Sequence, residues 1–246
     1  MKDDLSTQTQ LKTLPQPKAI LFDLFHTLVS VPSPSAVGET PVSEILGVSG
    51  EEWHRRYYDD DVLGRCLGLV RDSVEAMRRV THSIDPTIDE ERIVAAVESR
   101  RRRFEIGLVS VEQRILKALD SLRAAGIRTA IVSDAGADDV ESWPRSPLCR
   151  RVDATFFSFE LGFRKPDPRI YRHALAALGA PAGETFFVGD GGSNEHAGAR
   201  AVGLHTVLVT RFFSPWEPDK IAARRAHADW EFEDVAAFVD ALGISS

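Results

Sequence analysis

The stretch that decides the fold is Ala19-Ile20-Leu21-Phe22-Asp23-Leu24-Phe25-His26-Thr27-Leu28. It starts as a short apolar run and meets a carboxylate at Asp23. Such a run, bounded by polar residues, indicates a buried strand of a parallel sheet. Because ligands of open α/β sheets bind beyond the carboxyl ends of the strands, we expect Asp23 at that crevice. A single Asp at a strand end more often forms a turn than acts as a nucleophile, so the rest of the chain must decide.

The bulk properties exclude several classes of protein. The chain has 246 residues, with 30 Lys and Arg against 37 Asp and Glu, which gives a net charge of −7. That charge provides no general affinity for nucleic acid or an anionic membrane. Cys66 and Cys149 are too few for a disulfide framework, and no apolar run approaches the ~18–20 residues that span a bilayer.

The first 17 residues are polar and lack the apolar core of a signal peptide, so we expect a flexible tail. Together these features predict a cytoplasmic protein. They leave open whether it is a monomer or a homodimer.

Residues 31–104 have a helical pattern. After two prolines near Pro32, helices are predicted at residues 41–46, 51–58, 67–80 and 90–104. No convincing strand pattern occurs in this range. We therefore predict an all-α domain inserted into something else.

From Val111 onward, predicted helices and strands alternate. Strands are predicted at residues 127–134, 154–159, 185–190 and 205–210, and helices around 115–122, 168–178 and 233–242. This alternation is typical of βαβ units and a parallel sheet. The predicted fold class is α/β, with a doubly wound, Rossmann-like core of residues 18–30 and 105–246.

Polar residues follow these strands or lie in one loop between them: Asp23, Ser133, Lys165 and Asp190. The carboxyl ends of parallel strands meet at one edge, so these side chains can converge. Two carboxylates together suit Mg²⁺, which also takes water and phosphate oxygens, and a carboxylate can form an aspartyl-phosphate. Each residue alone has a structural explanation as a cap, a turn or a solvated lysine; the ordered set favours catalysis.

Four motifs make the chain resemble the haloacid dehalogenase-like (HAD) hydrolases from about Lys18 onward. They are residues 22–28 (Phe-Asp-Leu-Phe-His-Thr-Leu), 131–134 (Ile-Val-Ser-Asp), 162–168 (Gly-Phe-Arg-Lys-Pro-Asp-Pro) and 188–195 (Val-Gly-Asp-Gly-Gly-Ser-Asn-Glu). Each motif alone is weak, and their order is specific. The family carries a cap between the first two motifs, which matches the predicted helical domain at 31–104.

The resemblance implies a role for each matching residue. Asp23 would be the nucleophile and a Mg²⁺ ligand, beside Asp190, Glu195 and the backbone carbonyl of Phe25. Catalysis would also use Ser133, which holds the phosphoryl group, and Lys165, which orients the nucleophile. Asp134, Phe25 and His26 are expected to lie beside the substrate, with Ser133 and Lys165.

The chain departs from the phosphatase pattern at Phe25, where the family places a second Asp as general acid and base. General acid–base catalysis contributes about 10²–10⁴-fold. We therefore expect a weak phosphatase, or one that prefers good leaving groups such as acyl phosphates. His26 is a poor substitute, because its side chain should point to the other face.

Two other functions stay open. The 2-haloacid dehalogenases of this family have an aromatic residue at the position of Phe25 and need no metal; Arg55 or Arg56 could then bind halide. They lack the acidic fourth motif that this chain has in Asp190 and Glu195. A protein that only binds a phosphorylated ligand is the other possibility.

Several residues of the predicted cap and one loop are ambiguous. Trp53, Tyr57, Tyr58 and Arg65 could face the substrate or pack in the core. The basic run at residues 100–103 favours a solvated helix face over an anion site. Residues 211–219 are aromatic for a loop, and could contact the cap or a second subunit.

Overall fold

The computed structural model describes residues 14–59, 64–213 and 218–244; the predicted tail lies largely outside them. In these residues six strands form one sheet in the order β3-β2-β1-β4-β5-β6, and every pairing is parallel. The strands are β1 Ala19–Phe22, β2 Arg128–Ser133, β3 Ala154–Phe157, β4 Thr185–Gly189, β5 His205–Val209 and β6 Trp230–Phe232. The predicted parallel α/β core is confirmed.

The described helices fall into two groups. Four lie between β1 and residue 110: α1 Val42–Leu46, α2 Gly50–His54, α3 Ser73–Ile84 and α4 Glu90–Val109. We call residues 42–109 the helical segment. The others flank the sheet: α5 Gln113–Ala124, α6 Ser158–Leu161, α7 Pro168–Leu178, α8 Glu195–Ala201, α9 Pro218–Arg225 and α10 Val235–Ala241.

Strand β1 is apolar throughout because both of its faces are covered. Ile20 and Phe22 belong to a cluster that includes residues of α5 and α10, and Leu21 belongs to a second cluster with residues of α7. All four residues of β1 are fully buried. A central parallel strand therefore needs a continuous apolar run rather than an alternating one.

The helical segment has its own small core, built around Trp53, Met77, Ile93 and their neighbours. Helix α3 begins at Ser73 and not at the predicted Leu67, because the Asp72 side chain accepts a hydrogen bond from the Glu75 amide and caps the helix there. Helix α4 continues beyond Phe104, the predicted end of the inserted domain, to Val109.

The sequence patterns misplaced one further element and missed four. Strand β3 ends at Phe157 instead of Phe159, because Ser158 begins α6 and its hydroxyl accepts a hydrogen bond from the Ala135 amide. Strand β6 and helices α6, α8 and α9 were not predicted. None of the helices in the described ranges combines the length and the apolar character that a membrane span requires.

Candidate active site

The sequence-predicted site residues meet where the order of the strands reverses. Asp23 follows β1 and Asp190 follows β4, and these two strands are neighbours, with Phe22 paired to Val188. Ser133 ends β2 on the other side of β1. Since β1 connects toward β2 while β4 and β5 extend the sheet in the opposite direction, this edge is the switch point at which open α/β sheets bind ligands.

Lys165 joins two of the carboxylates. Its Nζ lies 2.5 Å from Asp23 Oδ1 and 2.6 Å from Glu195 Oε2, and all three side chains are buried. Thr27, which the sequence analysis left without a role, donates its hydroxyl to Asp23 Oδ2 at 2.9 Å. Both oxygens of Asp23 are therefore held in place by side chains.

Three carboxylates crowd this point. Asp23, Asp190 and Glu195 each offer an oxygen within 4.8 Å of the others. Backbone amides orient two of them: Gly191 N donates to Glu195 Oε1 and Gly192 N donates to Asp190 Oδ1, each at 2.8 Å.

The electrostatics of this group favour a bound cation. Burial alone would lower the pKa of Lys165, but Asp23 and Glu195 outweigh burial and raise it well above the usual value, so the ammonium stays charged. Burial raises the pKa of Glu195, and the nearby carboxylates of Asp23 and Asp190 raise it further. The three carboxylates face two cationic groups, the Lys165 ammonium and the Arg224 guanidinium that pairs with Asp190, so the cations are one fewer than the carboxylates. Carboxylate oxygens in such a set fit Mg²⁺.

A residue that the sequence analysis missed also binds Asp190. Arg224 donates its Nη1 to Asp190 Oδ2 at 2.7 Å and to the Asp190 carbonyl at 3.0 Å. Its guanidinium lies over the ring of Phe213, 5.0 Å from the centroid. Arg224 belongs to the unpredicted helix α9, and no motif marks it. Of the aromatic loop discussed above, residues 214–217 lie outside the described residues.

Two polar side chains near Asp23 have atoms that lack hydrogen-bond partners. Ser133 Oγ and Asp134 Oδ2 are buried, and within the described residues neither atom has a partner. The other oxygen of Asp134 accepts a hydrogen bond from the Lys165 amide at 2.9 Å. Buried hydroxyls are normally satisfied, so Ser133 is suited to bind a polar group of a ligand.

Glycines allow the motifs to pack this closely. A Cβ on Gly189 would collide with the carboxylate of Glu195. A Cβ on Gly198, in α8, would lie 2.6 Å from the carbonyl oxygen of Pro166, directly after Lys165. Gly189 therefore allows Glu195 to approach β4, and Gly198 allows the loop that carries Lys165 to approach α8.

The arrangement matches that of a known family. The family model described as haloacid dehalogenase-like hydrolase matches residues 17–203. The chain belongs to the haloacid dehalogenase-like hydrolases.

The relatives of this HAD hydrolase include enzymes of two kinds. A phosphoserine phosphatase of Thermus thermophilus is 28% identical over 227 residues, which are 86% of this chain and 88% of that protein. The (S)-2-haloacid dehalogenase 1 of a Pseudomonas species is 23% identical over 81% of this chain and 87% of its own length. A crystal structure of a dehalogenase shares the fold, with a TM-score of 0.64 and 21% identity, and covers 92% of this chain and 96% of that one.

A cavity of about 480 Å³ lies between the HAD core and the helical segment. Phe25, His26 and Asp134 line it from the core, together with Arg164 and Ser193. His26 was expected to point away from the face that Phe25 occupies. It lines the same cavity, because its backbone has a left-handed φ of 64° that breaks the alternation of a strand.

The helical segment contributes aromatic and basic residues to this cavity. They are His54, Tyr57, Tyr58, Arg65, Cys66, Arg100, Arg103 and Phe104. Trp53 packs instead in the core of the helical segment. Arg55 and Arg56 do not line the cavity; both pair with Glu52.

A buried ion cluster ties the helical segment to the loop after Ser133. Arg65 and Arg100 both pair with Asp139, and the Arg100 Nε lies 3.4 Å from Asp138 Oδ2. Tyr57 donates its hydroxyl to Asp138 at 3.3 Å and accepts from Arg100 Nε at 3.1 Å. The prediction of a solvated face for residues 100–103 was wrong for Arg100, which is only 2% exposed. Its partners come from a distant loop that sequence spacing does not reveal.

Proposed function

We propose that this HAD hydrolase is a magnesium-dependent phosphohydrolase that acts on a small phosphorylated substrate through an aspartyl-phosphate on Asp23. The observation that supports this most is the group of three buried carboxylates, Asp23, Asp190 and Glu195, whose charges Lys165 and Arg224 balance only in part. A cation would offset their mutual repulsion, and phosphoryl transfer needs positive charge where oxygen charge develops.

The residues that would hold the ion are Asp23, Asp190, Glu195 and the backbone carbonyl of Phe25. When bound, Mg²⁺ supplies charge that balances the phosphoryl oxygens. Arg224 would keep Asp190 oriented through its two hydrogen bonds to that residue. The oxygen-only set of side chains excludes the soft-metal chemistry that thiolates would support.

The chemical steps follow from the contacts of Asp23. A carboxylate oxygen of Asp23 attacks phosphorus, and the bond from phosphorus to the leaving-group oxygen breaks, with the electron pair going to that oxygen. Lys165 and Thr27 hold the Asp23 carboxylate while this happens. The buried hydroxyl of Ser133 donates to a phosphoryl oxygen and gains the partner that it otherwise lacks.

Water then attacks the phosphorus of the aspartyl-phosphate, which releases inorganic phosphate and restores Asp23. In this chain Phe25 stands where the family's phosphatases carry the acid and base for both steps. The first step therefore requires a leaving group that is stable as an anion, such as the carboxylate of an acyl phosphate. The second step proceeds without that base, so we expect it to be slow.

The helical segment acts in this proposal as a cap that covers the site and selects substrates. It closes the cavity above Phe25 and is fixed to the core by the ion cluster around Asp139. A cytoplasmic location and a monomeric or homodimeric state stay predictions from the sequence.

A dehalogenase is the second candidate because one relative carries that name and because Phe25 is aromatic. Two observations disfavour a dehalogenase. Arg55 and Arg56, the proposed halide ligands, both pair with Glu52. Asp190 and Glu195 would also lie beside a nucleophile that needs no metal, where they only oppose its negative charge.

The deciding assay compares phosphate release from acetyl phosphate and p-nitrophenyl phosphate, with Mg²⁺ and with EDTA, and halide release from 2-chloropropionate. We expect Mg²⁺-dependent phosphate release that Asp23→Asn abolishes and that the control Asp120→Asn, on the exposed face of α5, preserves. Halide release that is indifferent to EDTA would identify a dehalogenase. Turnover that Asp23→Asn leaves intact would reject both enzymes.

A separate binding measurement tests the metal site. We expect calorimetry to show Mg²⁺ binding to the wild-type protein and a large loss of affinity in Asp190→Asn. Phosphate binding without any turnover would instead indicate a protein that only binds phosphorylated ligands.

A further inference from the structure

Arg100 lines the cavity, and one of its buried hydrogen-bond donors has no acceptor in the described residues. Its side chain is among the most buried in the helical segment, and its Nε and Nη2 reach Tyr57 and Asp139. Its remaining nitrogen, Nη1, is buried and has no hydrogen-bond partner in the described residues. An unsatisfied charged donor of this kind is costly to bury. It indicates an acceptor that a ligand brings into the cavity.

Arg103 lies one turn further along α4, on the same side of the helix, and also lines the cavity. It is half-buried, and burial lowers the pKa of its guanidinium from the usual value, although an arginine still remains charged. Its Nε donates to the Pro32 carbonyl at 2.9 Å. In the described part of the chain it forms no ion pair, whereas its neighbour Arg102 pairs with Glu39.

The charges around the cavity leave Arg103 in excess. Arg65 and Arg100 are matched by Asp138 and Asp139. Arg164 and Asp134, which also line the cavity, are nearby opposite charges. Arg103 adds a positive charge that no carboxylate of the described residues balances by direct contact. A ligand group with one negative charge would balance Arg103, and a carboxylate carries one negative charge. A second phosphate group on the ligand would carry almost two negative charges.

The other residues that line the cavity indicate what kind of ligand it can hold. The cavity that Arg100 and Arg103 line is also lined by four aromatic side chains, those of Phe25, Tyr57, Tyr58 and Phe104. The Arg100 guanidinium lies 4.0 Å from the centroid of the Phe104 ring. Aromatic side chains of this kind pack against flat or apolar groups. The volume of about 480 Å³ is that of a small-molecule site.

We propose that Arg103 and the free Nη1 of Arg100 form a carboxylate site, so that the substrate's leaving group is an apolar or aromatic body that carries a carboxylate. This substrate class rests on the proposed phosphohydrolase function, because the carboxylate site lies in the cavity above Phe25. The carboxylate accepts hydrogen bonds from both arginines, and the body packs on Phe104 and Phe25.

The kinetic test uses benzoyl phosphate and its 3- and 4-carboxy derivatives. We expect the wild-type protein to favour one carboxy derivative in kcat/KM, and Arg103→Gln to reduce that preference by about tenfold to a hundredfold, the usual weight of hydrogen bonds to charged groups. Arg103→Lys keeps the positive charge but loses the planar guanidinium that can donate two parallel hydrogen bonds, so it should retain part of the preference. The ratio of kcat/KM for the carboxy derivative to kcat/KM for benzoyl phosphate is compared between variants. Differences in the intrinsic reactivity of the substrates cancel in this comparison.

The control variant is Arg102→Gln, on the same turn of α4 but exposed and paired with Glu39. It should keep the wild-type preference. Equal use of benzoyl phosphate and both carboxy derivatives by the wild-type protein would overturn the proposal. So would a preference that Arg103→Gln leaves unchanged.

A binding titration separates this site from the phosphatase activity. Benzoate should bind the wild-type protein more tightly than neutral benzamide in an NMR titration, and Arg103→Gln should remove the difference. If no acyl phosphate is hydrolysed but this difference is found, the phosphohydrolase proposal fails and the carboxylate site stands. If benzoate gains nothing over benzamide, the carboxylate site is rejected, whatever the phosphatase assay gives.

Discussion

The ring of Phe25 packs edge to face against Phe104 of the helical segment, with the ring centroids 5.1 Å apart. Phe25 lies two residues after Asp23, the proposed nucleophile, where the phosphatase pattern of the family has a second Asp. In this chain the position contributes an apolar contact between the core and α4 instead of a proton. The contact helps to hold the helical segment over the site, and in the proposed reaction this position supplies no acid.

Phe25→Asp should restore the missing general acid. We expect kcat/KM for p-nitrophenyl phosphate and alkyl phosphates to rise, by up to about 10²–10⁴-fold for the worst leaving groups. The first step with acetyl phosphate should gain little, because acetate leaves without a proton. Phe25→Leu, which also loses the ring contact, is the control and should not show the gain. A similar gain on every substrate would contradict this explanation.

Lys165→Gln should stop turnover and, when no Mg²⁺ is present, lower the free energy of unfolding of the protein. It leaves Asp23, Asp190 and Glu195 together without the ammonium that contacts two of them. Removing one partner from a buried ion pair costs about 3–5 kcal/mol. Thermal unfolding should show a lower Tm in EDTA and recovery in Mg²⁺. Recovery that is no larger than that of the wild-type protein would argue against a cation among these carboxylates.

Asp139→Asn should loosen the attachment of the helical segment. Burial alone would raise the pKa of Asp139, but Arg100 and Arg65 outweigh burial and hold it below the usual value. The carboxylate therefore stabilises the fold above the unfolded pKa of about 3.9, and this stabilisation is lost as the pH falls through the lower, folded pKa. At neutral pH we expect the free energy of unfolding to drop by about 3–5 kcal/mol.

Chemical denaturation across pH checks this prediction. The difference between the wild-type protein and Asp139→Asn should narrow as the pH falls below about 4. Asp120→Asn, which removes only an exposed pair with Arg151, should cost no more than about 1 kcal/mol at any pH. A constant difference between the wild-type protein and Asp139→Asn would mean that the charge of Asp139 does not stabilise the fold.

Gly198→Ala should displace Lys165. The new Cβ would lie 2.6 Å from the Pro166 carbonyl oxygen and 2.8 Å from the Pro166 Cβ, so the loop must move. We expect a loss of about 1–3 kcal/mol in stability and a fall in kcat, since Lys165 directly precedes Pro166. Gly183→Ala meets no atom within 4 Å and is the matched control. Wild-type kcat in Gly198→Ala would show that the position of Lys165 tolerates this shift.

Much of the fold could be predicted because its central strands are apolar on both faces. The runs that end at Asp23, Ser133 and Asp190 are short, buried except for Arg128, and followed by polar residues, and this pattern identifies parallel strands. Strand β6 has three residues, one of them the exposed Glu231, and lies at the edge of the sheet. A strand so short and half-covered leaves no pattern to detect.

The carboxylates and the lysine of the site could be predicted from motifs, whereas the contacts that surround them could not. Arg100 stands in a run of four arginines that has the pattern of a solvated surface, and only tertiary structure brings it to Asp139. Arg224 reaches Asp190 from a helix 34 positions later in the chain. Such pairs depend on how distant elements pack, which the local sequence does not specify.

The most direct test of the central claim is to trap the phosphorylated nucleophile. The protein is mixed with acetyl phosphate and Mg²⁺, quenched in acid within the first turnovers, and digested for mass spectrometry. We predict one phosphoryl group on Asp23, accumulated because Phe25 supplies no base for the second step, and less of it in Phe25→Asp. Phosphate release at the full rate, with the peptide that contains Asp23 unmodified at every quench time, would contradict the account.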